Sequence, residues 1–385
     1  MKRVGWILVV SCLLFSVFPV TADAAALEVA GKSAVLMDVA TGTVLYESNP
    51  HEKLAPASVT KVMTMLLIME AIDSGKIGWE DSVTASEAAA SKGGSQIYLK
   101  VGETMTVSDM VKSIAVSSAN DCACAMAEHL AGSEGAFVEQ MNSRAKELGM
   151  NDTYFVNCTG LDDAPDAAEH KTSAYDIALM SRELLKNHPD IKKYTTIWMD
   201  TVRDGAFGLA NTNKMVRFYS GCTGLKTGFT SGAGYCLSAS AQRDGMELIA
   251  VVMGCDTSQN RFAACKSMLD YGFANYGIYT PALPEEAAVP VELGKSGCVN
   301  AVPGDGTALL VEKGQLSSVT AEVVLEESVQ APVSKGQRLG TMTVKSGDRV
   351  LRQIPLVAET AVERKTWGDV FTDLLRRITM AKPAS

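Results

Sequence analysis

The chain has 385 residues, which is longer than one ordinary domain, so two domains are expected. Its 47% hydrophobic and 21% charged residues are typical of a globular protein and exclude an intrinsically disordered one. A formal net charge of −9 gives no general affinity for polyanions, which argues against nucleic acid as a partner.

The first 24 residues have the pattern of a secretory signal peptide. Lys2 and Arg3 precede an apolar run, and Ala22 and Ala24 form the small-x-small pattern of a cleavage site. We therefore expect cleavage near Ala24 and an exported mature protein, with a retained membrane anchor as the alternative. No later run reaches the roughly 18 apolar residues that cross a bilayer.

The cysteines permit disulfides but do not require them. Of nine, only Cys12 lies in the predicted signal peptide. The chain is long enough to build a core without cross-links, and Cys222 with Cys236 is the pair we consider for a bridge, because both lie on expected neighbouring strands. The cysteines and the four histidines share no metal-ligand spacing, so no metal and no cofactor are expected.

The first half of the chain after the signal peptide reads as a short β-hairpin and then a series of helices. Gly42 marks the turn of the hairpin, and Pro56 opens a long apolar helix. Ser108 is the expected N-cap of a second helix, and Gly132 the expected end of a third. Two amphipathic helices follow, the last ended by Pro189.

From Ile197 the pattern changes to strands, with a hairpin turn at Asp244-Gly245 and one more helix after it. Thr280 begins a Pro-rich segment that we interpret as a linker. Short strands with Gly turns then run from about Val289 to Val357. The predicted fold class is α+β, an antiparallel sheet flanked by helices with a small C-terminal β domain and a tail helix.

The tail resembles no other part of the chain. Its apolar residues recur at helical spacing: Trp367, Val370, Phe371, Leu374, Leu375 and Ile378. Arg376 and Arg377 make this end locally basic on an acidic protein. We predict an amphipathic helix that lies on the membrane surface, with a helix docked on the protein body as the alternative.

Ser58 and Lys61 are the first residues that indicate chemistry. Residues three apart on a helix share a face, so the hydroxyl and the amine can touch. A lysine activates a serine only when it is neutral, and burial or a second positive charge lowers its pKa toward that state. Taken alone, S-x-x-K also fits a capped helix with a solvated lysine.

Two further motifs follow in order. "SSAND" places Ser118 and Asn120 at a helix boundary, and "GLKTGFT" places Lys226, Thr227 and Gly228 on a strand. S-x-x-K, S-x-N and K-T-G in this order form the set of penicillin-binding proteins and class A β-lactamases. Each motif is weak, but the ordered triple behind a signal peptide is specific.

The chain resembles the low-molecular-weight penicillin-binding proteins that are serine-type D-alanyl-D-alanine carboxypeptidases. The connecting segments "AVLMDVATGTVLYESNP" and "HKTSAYDIALMSREL" are similar to that family as well. The resemblance covers nearly the whole chain. It implies a signal peptide (1–24), a β-lactamase/transpeptidase-like catalytic domain (25–281), a small β-rich domain (282–360) and an amphipathic membrane-surface anchor (361–385).

The resemblance also implies roles for the motif residues in hydrolysis of the terminal D-Ala-D-Ala bond of peptidoglycan pentapeptides. Ser58 would be the nucleophile and Lys61 its base, with Ser118 and Asn120 as further catalytic residues. The implied substrate-binding residues are Lys226, Thr227, Gly228 and Phe229, the last through an oxyanion hole shared with the Ser58 N–H. β-Lactams would acylate Ser58, and the protein would sit at the outer face of the cytoplasmic membrane.

Three alternatives remain beside this interpretation. A secreted β-lactamase needs an acidic residue that activates the deacylating water, and Glu147 matches that spacing only superficially. A non-catalytic peptidoglycan-binding protein and a transpeptidase would use the same pocket. Two residues are left open: Arg261 is either near the substrate carboxylate or on the surface, and His170 is either at the rim of the site or part of a capping segment.

Overall fold

The computed structural model describes residues 27–163, 165–284, 287–304 and 306–378. The predicted signal peptide and residues 379–385 of the predicted anchor lie outside the described residues. The helices are α1 (Lys61–Asp73), α2 (Glu87–Ala90), α3 (Val107–Ser117), α4 (Asn120–Ala131), α5 (Glu134–Glu147), α6 (Ala174–Asn187), α7 (Lys192–Thr195), α8 (Met215–Phe218), α9 (Ser258–Asn275) and α10 (Trp367–Ile378).

The strands fall into one group before residue 280 and a second group after it. The first group is β1 (Ser33–Asp38), β2 (Val44–Ser48), β3 (Ser82–Thr84), β4 (Thr104–Thr106), β5 (Met199–Val202), β6 (Phe207–Ala210), β7 (Cys222–Thr230), β8 (Gly234–Arg243), β9 (Met246–Cys255) and β10 (Tyr276–Tyr279). The second is β11 (Ala288–Glu292), β12 (Cys298–Pro303), β13 (Leu309–Glu312), β14 (Val319–Leu325), β15 (Val329–Gln330), β16 (Arg338–Ser346) and β17 (Arg349–Ala358).

A five-stranded antiparallel sheet in the order β2-β1-β9-β8-β7 forms the centre of the first unit. Successive side chains of a strand point to opposite faces of a sheet, and each face of this sheet packs against its own apolar core. In β1, Val35 and Met37 join the larger core with the helices α1 and α3 to α6, whereas Ala34 and Leu36 join a second core with α9. The turn between β8 and β9 has positive φ at Asp244 (49°) and Gly245 (78°), as the sequence predicts.

The helix boundaries agree with the predicted signals except at the starts of α1 and α3. Gly132 ends α4 with φ 81°, and Ser173 caps α6 by accepting from the Asp176 N–H. The predicted cap Ser108 is wrong: Thr106 accepts from the Asp109 N–H, so α3 begins at Val107. Thr106 is the N-cap because its backbone is extended, as a cap residue requires, whereas Ser108 already lies inside the first turn of α3.

The second unit is a six-stranded sheet in the order β14-β16-β17-β12-β11-β15 with its own apolar core. The strands predicted from about Val289 begin at Ala288, since Ala288–Glu292 pairs with β12 as strand β11. The two units also share main-chain hydrogen bonds, because β10 pairs with β13. The α+β fold class and the C-terminal β domain are confirmed.

All cysteines of the described residues are free thiols. Cys222 and Cys236 do lie on the neighbouring strands β7 and β8, but the register places Cys222 opposite Ala241 and Cys236 opposite Gly228. The pair is therefore several residues apart along the strands and forms no bridge. Among the described helices, none has the length and apolar character needed to cross a membrane.

Candidate active site

Ser58 and Lys61 are in contact, although they do not share one α-helix. Ser58 lies in a 3-10 turn, Ala57–Thr60, and Lys61 is the first residue of α1. The predicted helix around both residues therefore begins later than expected, but the turn still brings the groups together. Lys61 Nζ lies 2.9 Å from Ser58 Oγ and donates to the Thr159 carbonyl at 2.8 Å.

Lys61 is fully buried, and burial is the main cause of its altered titration. Desolvation lowers the pKa of Lys61 from 10.5 to about 7, against smaller opposing effects of Cys158 and Asp121. At neutral pH a large fraction of this amine is therefore unprotonated and can accept a proton. Burial is the largest cause of this shift, and the repulsion between Lys61 and the nearby Lys226 is seen in the lowered pKa of Lys226.

Ser118 and Asn120 lie at the junction of α3 and α4, next to Asp121, whose charge acts on Lys61. Ser118 is buried and holds a left-handed conformation with φ 63°. The Asn120 side chain donates to the Gly93 carbonyl at 2.7 Å, but its buried Oδ1 has no hydrogen-bond partner in the described structure. A buried acceptor without a partner is costly, and a bound ligand with an N–H donor would satisfy it.

Strand β7 carries the third motif and packs against the turn that carries Ser58. Lys226 is almost fully buried, and its Nζ donates to the Thr227 carbonyl at 2.9 Å. Burial first, then the nearby Lys61 and Arg261, holds the pKa of Lys226 well below its ordinary value. The Thr227 hydroxyl pairs with the Thr212 hydroxyl at 2.7 Å.

Gly228 and Phe229 complete the strand segment. A Cβ on Gly228 would lie 2.6 Å from the Pro56 carbonyl oxygen, so only glycine allows β7 to approach the turn that carries Ser58. The Phe229 side chain is 53% exposed and stacks on Tyr235 with ring centroids 4.3 Å apart. The structure thus places the third motif against the turn that carries the first. Thr212 links the third motif to the end of α3, just before the second, because its N–H donates to the Val116 carbonyl and its hydroxyl pairs with that of Thr227.

Arg261 is a site residue that the sequence left open. It is buried, and its Nη1 donates to the Gly228 carbonyl at 2.9 Å. Its Nε is another buried polar atom of the described residues that lacks a partner. A cation so placed beside Lys226 forms a region that favours an anionic ligand group.

Three residues of the site were not predicted as such: Thr60, Thr159 and Thr212. Thr159 holds Lys61 through its main-chain carbonyl, and a main-chain contact has no signature in the residue type. Thr60 and His170 form a buried hydrogen bond of 2.8 Å behind Ser58. From the sequence, helix capping by Thr172 or Ser173 was enough to explain the segment around His170. Nothing near His170 in the sequence indicates that its partner is Thr60.

Within the part of the chain that the structure describes, neither the β-lactamase glutamate nor a cluster of metal-ligand side chains belongs to this site. Glu147 ends α5 and pairs with Arg144 at 3.1 Å on the surface. Glu70, Glu183 and His188 have the spacing of metal ligands, but Arg144 donates to both carboxylates at 2.8 and 2.7 Å. This cluster is therefore an ion-pair network.

Comparison with known proteins finds similarity over most of the chain. Residues 20–257 match the family model described as D-alanyl-D-alanine carboxypeptidase, and residues 284–364 match the penicillin-binding protein 5 C-terminal domain. The D-alanyl-D-alanine carboxypeptidase DacF of Bacillus subtilis is 45% identical over 339 residues, 86% of each chain.

Two solved structures share this architecture. Penicillin-binding protein 5 of Haemophilus influenzae has a TM-score of 0.72 and 30% identity, over 88% of this chain and 98% of its own. Penicillin-binding protein D2 of Listeria monocytogenes, solved in the ampicillin-bound form, has a TM-score of 0.59 and 31% identity, over 64% of this chain and 99% of its own.

Proposed function

Because the chain belongs to the D-alanyl-D-alanine carboxypeptidase family, we propose that Ser58 is its nucleophile and Lys61 the base that activates it. The activity is that of a serine-type D-alanyl-D-alanine carboxypeptidase, a hydrolase of cell-wall metabolism. One observation carries the two roles: a buried amine with a pKa of about 7 lies 2.9 Å from the serine hydroxyl.

The reaction has two halves. Ser58 Oγ attacks the carbonyl of the D-Ala-D-Ala bond while its proton passes to Lys61 Nζ, and the N–H groups of Ser58 and Phe229 stabilise the developing oxyanion. The C–N bond then breaks, and Ser118 relays a proton to the leaving D-Ala amine. Water attacks the resulting ester, Ser58 recovers its proton, and the shortened peptide leaves.

Lys226 and Thr227 hold the terminal carboxylate of the substrate, and Gly228 lets the peptide lie along β7. No carboxylate of the described residues pairs with Lys226, and burial, followed by the nearby Lys61 and Arg261, holds its pKa low. An arriving carboxylate would favour the protonated form of Lys226 and form an ion pair with it. Asn120 Oδ1 accepts an N–H of the substrate main chain, which would satisfy this orphaned oxygen.

β-Lactams bind covalently at the same serine. Penicillin-binding protein D2, whose structure was solved with ampicillin, is similar in fold to 64% of this chain, which supports this proposal. A β-lactam carries a carboxylate and a reactive amide carbonyl, which can occupy the same two positions as the substrate groups. We place peptidoglycan pentapeptides as the substrate and β-lactams as inhibitors.

The protein acts outside the cytoplasm in this proposal. Residues 1–24 direct export, 25–281 form the catalytic domain and 282–360 the small β domain. Residues 361–385 attach the protein peripherally to the outer face of the cytoplasmic membrane. The exposed apolar residues of α10 support this attachment: Trp367, Phe371, Leu374, Leu375 and Ile378 are 47% to 91% exposed.

The test combines a labelled penicillin with an assay of free D-Ala from a pentapeptide that ends in D-Ala-D-Ala. The wild type is expected to give a covalent band and D-Ala, whereas folded Ser58→Ala and Lys61→Ala give neither. Lys76→Ala, which removes an exposed lysine beyond the end of α1, is the matched control. Labelling that survives in Lys61→Ala removes Lys61 from the base role. Absence of any band in the wild type indicates a non-catalytic binder, and rapid penicillin turnover a β-lactamase.

A further inference from the structure

A chain of three hydrogen bonds runs from the Val156 main chain through the buried His170 to the main chain before Ser58. The Val156 N–H donates to His170 Nδ1 at 3.2 Å, and His170 Nε2 lies 2.8 Å from Thr60 Oγ1. Thr60 Oγ1 in turn donates to the Ala57 carbonyl at 2.8 Å. Since Nδ1 accepts, Nε2 carries the proton, and every donor in the chain points toward Ala57.

Burial keeps His170 in the state that this chain requires. Desolvation lowers the pKa of His170 to about 4, so the ring is neutral at neutral pH and keeps one acceptor and one donor nitrogen. The ring also packs edge-on against Phe155 at 5.7 Å between centroids, which fixes its plane. A protonated ring would lose the bond from Val156, because both nitrogens would then donate.

The end of the chain is a strained residue. Ala57 has φ 48°, a left-handed conformation that an alanine adopts only at a cost of roughly 1–2 kcal/mol. Such strain persists only where surrounding contacts hold it, and it is concentrated at functional sites. Two contacts fix the Ala57 carbonyl: the Thr60 hydroxyl, and Gly160, where a Cβ would lie 1.8 Å from the Ala57 oxygen.

The loop that contains Gly160 also holds Lys61. Asn157 Oδ1 accepts from the main-chain N–H groups of Thr159 at 3.1 Å and Gly160 at 2.7 Å, and the Thr159 carbonyl accepts from Lys61 Nζ. The turn with Ser58 and the loop that orients Lys61 are therefore joined at Ala57. A shift of that carbonyl would move the hydroxyl and the amine relative to each other.

We propose that His170, acting through the Thr60 hydroxyl, is a positioning residue that holds the Ala57 carbonyl and thereby the Ser58-Lys61 contact. The proposal rests on the roles of Ser58 and Lys61 given above. Neither His170 nor Thr60 exchanges a proton with the substrate. Their loss reduces the rate of Ser58 acylation, while noncovalent binding of substrate along β7 changes little.

The experiment measures the acylation rate constant and the noncovalent dissociation constant for a labelled penicillin, and kcat and KM for the pentapeptide. Thr60→Val has nearly the shape of threonine without its hydroxyl, and His170→Ala removes the donor to it. For each we expect a fall of about tenfold or more in acylation rate and kcat, with KM and the dissociation constant changed by less than about threefold.

Conservative variants and a control separate positioning from general damage. Thr60→Ser restores the hydroxyl, and His170→Gln restores a donor and an acceptor, so each is expected to recover most of the lost rate. Thr60→Val with His170→Ala should lose no more than either single variant, because both break one chain. His188→Ala, which removes another buried histidine that binds Asp73, is expected to keep the wild-type acylation rate.

Each other result contradicts the proposal. A folded Thr60→Val that acylates as fast as the wild type, single effects that multiply in the double variant, or a loss confined to KM would overturn it. If Thr60→Val unfolds, His170→Ala against His170→Gln in the same assays still decides the question. Failure of the underlying roles is recognised separately, because Ser58→Ala would then still be labelled.

Discussion

At the residue scale, the burial of Lys61 serves catalysis but lowers the stability of the fold. Catalysis requires an unprotonated amine, and the structure obtains it by full burial, with a pKa of about 7. Burial of an ionisable group costs stability whenever the unfolded chain would hold the proton. The active site therefore destabilises the fold by an amount that depends on pH.

This cost predicts the effect of Lys61→Met. Between pH 7 and 10.5 the unfolded chain binds more protons at residue 61 than the folded one, so wild-type stability rises with pH across that window. Lys61→Met removes the cost but leaves the Thr159 carbonyl without its donor. We expect the stability advantage of the variant over the wild type to fall by about 3 kcal/mol between pH 7 and pH 10, because the cost of burying the amine disappears as the unfolded chain loses the proton.

Urea denaturation at several pH values between 7 and 10 measures this difference, with Lys76→Met as an exposed-lysine control that shows no such trend. A stability difference between wild type and Lys61→Met that stays constant with pH would contradict burial as the cause of the lowered pKa. Acylation by penicillin should be lost in Lys61→Met at every pH.

At the element scale, the motif residues were predictable and their supports were not. Ser58 and Lys61 lie three apart, and any tight turn or helix brings such residues together, so the contact did not depend on the exact boundary of α1. The Thr159 carbonyl lies 98 residues from Lys61 in sequence. Thr60 and His170 are separated by 110 residues, and only the packed fold brings them together.

The loop around Gly160 gives a prediction at this scale. Gly160 has φ 81°, and a Cβ there would meet the Ala57 oxygen at 1.8 Å; Gly149 has φ 74° and nothing within 4 Å of that position. Gly149→Ala should therefore cost only the backbone strain, about 1 kcal/mol. Gly160→Ala adds a main-chain clash and should cost at least about 3 kcal/mol.

Chemical denaturation of the two variants gives the comparison, and the acylation rate of any folded Gly160→Ala should fall as well. Equal losses of stability in Gly149→Ala and Gly160→Ala would mean that the loop relaxes away from the Ser58 turn at little cost. The close approach of the Gly160 loop to the Ser58 turn would then contribute nothing measurable to the free energy of unfolding.

At the scale of the whole molecule, the α+β class and the C-terminal β domain followed from the change in periodicity near Ile197 and after Thr280. The strands predicted from about Val289 begin at Ala288, although Pro290 gives this strand the composition of a linker. The pairing of β10 with β13 was not predictable, since the residues of two short strands do not indicate which strands will be hydrogen-bonded to each other.

The tail helix carries the prediction for the whole protein. Asp substitutions at Phe371 and Leu374, both more than half exposed, should reduce binding to vesicles that contain anionic lipid by about tenfold, because they place charge on the apolar face. Val324→Asp changes an equally exposed apolar residue of β14 and serves as the control. Cosedimentation with the vesicles gives the bound fraction.

Undiminished vesicle binding by the variant with both Asp substitutions would favour the helix docked on the protein body. An equal loss in Val324→Asp would assign binding to general surface hydrophobicity. High salt should weaken wild-type binding if the basic residues of the tail contribute.

Of the cysteines in the described residues, Cys298 alone is exposed. Burial raises the pKa values of the thiols of Cys124, Cys222, Cys236 and Cys255 to about 11 or 12, which leaves them unreactive as nucleophiles. The native fold thus offers one natural attachment point for a fluorophore or a spin label. It lies on β12, outside the catalytic unit, so a dye placed there can report the distance to a lipid bilayer without engineered cysteines.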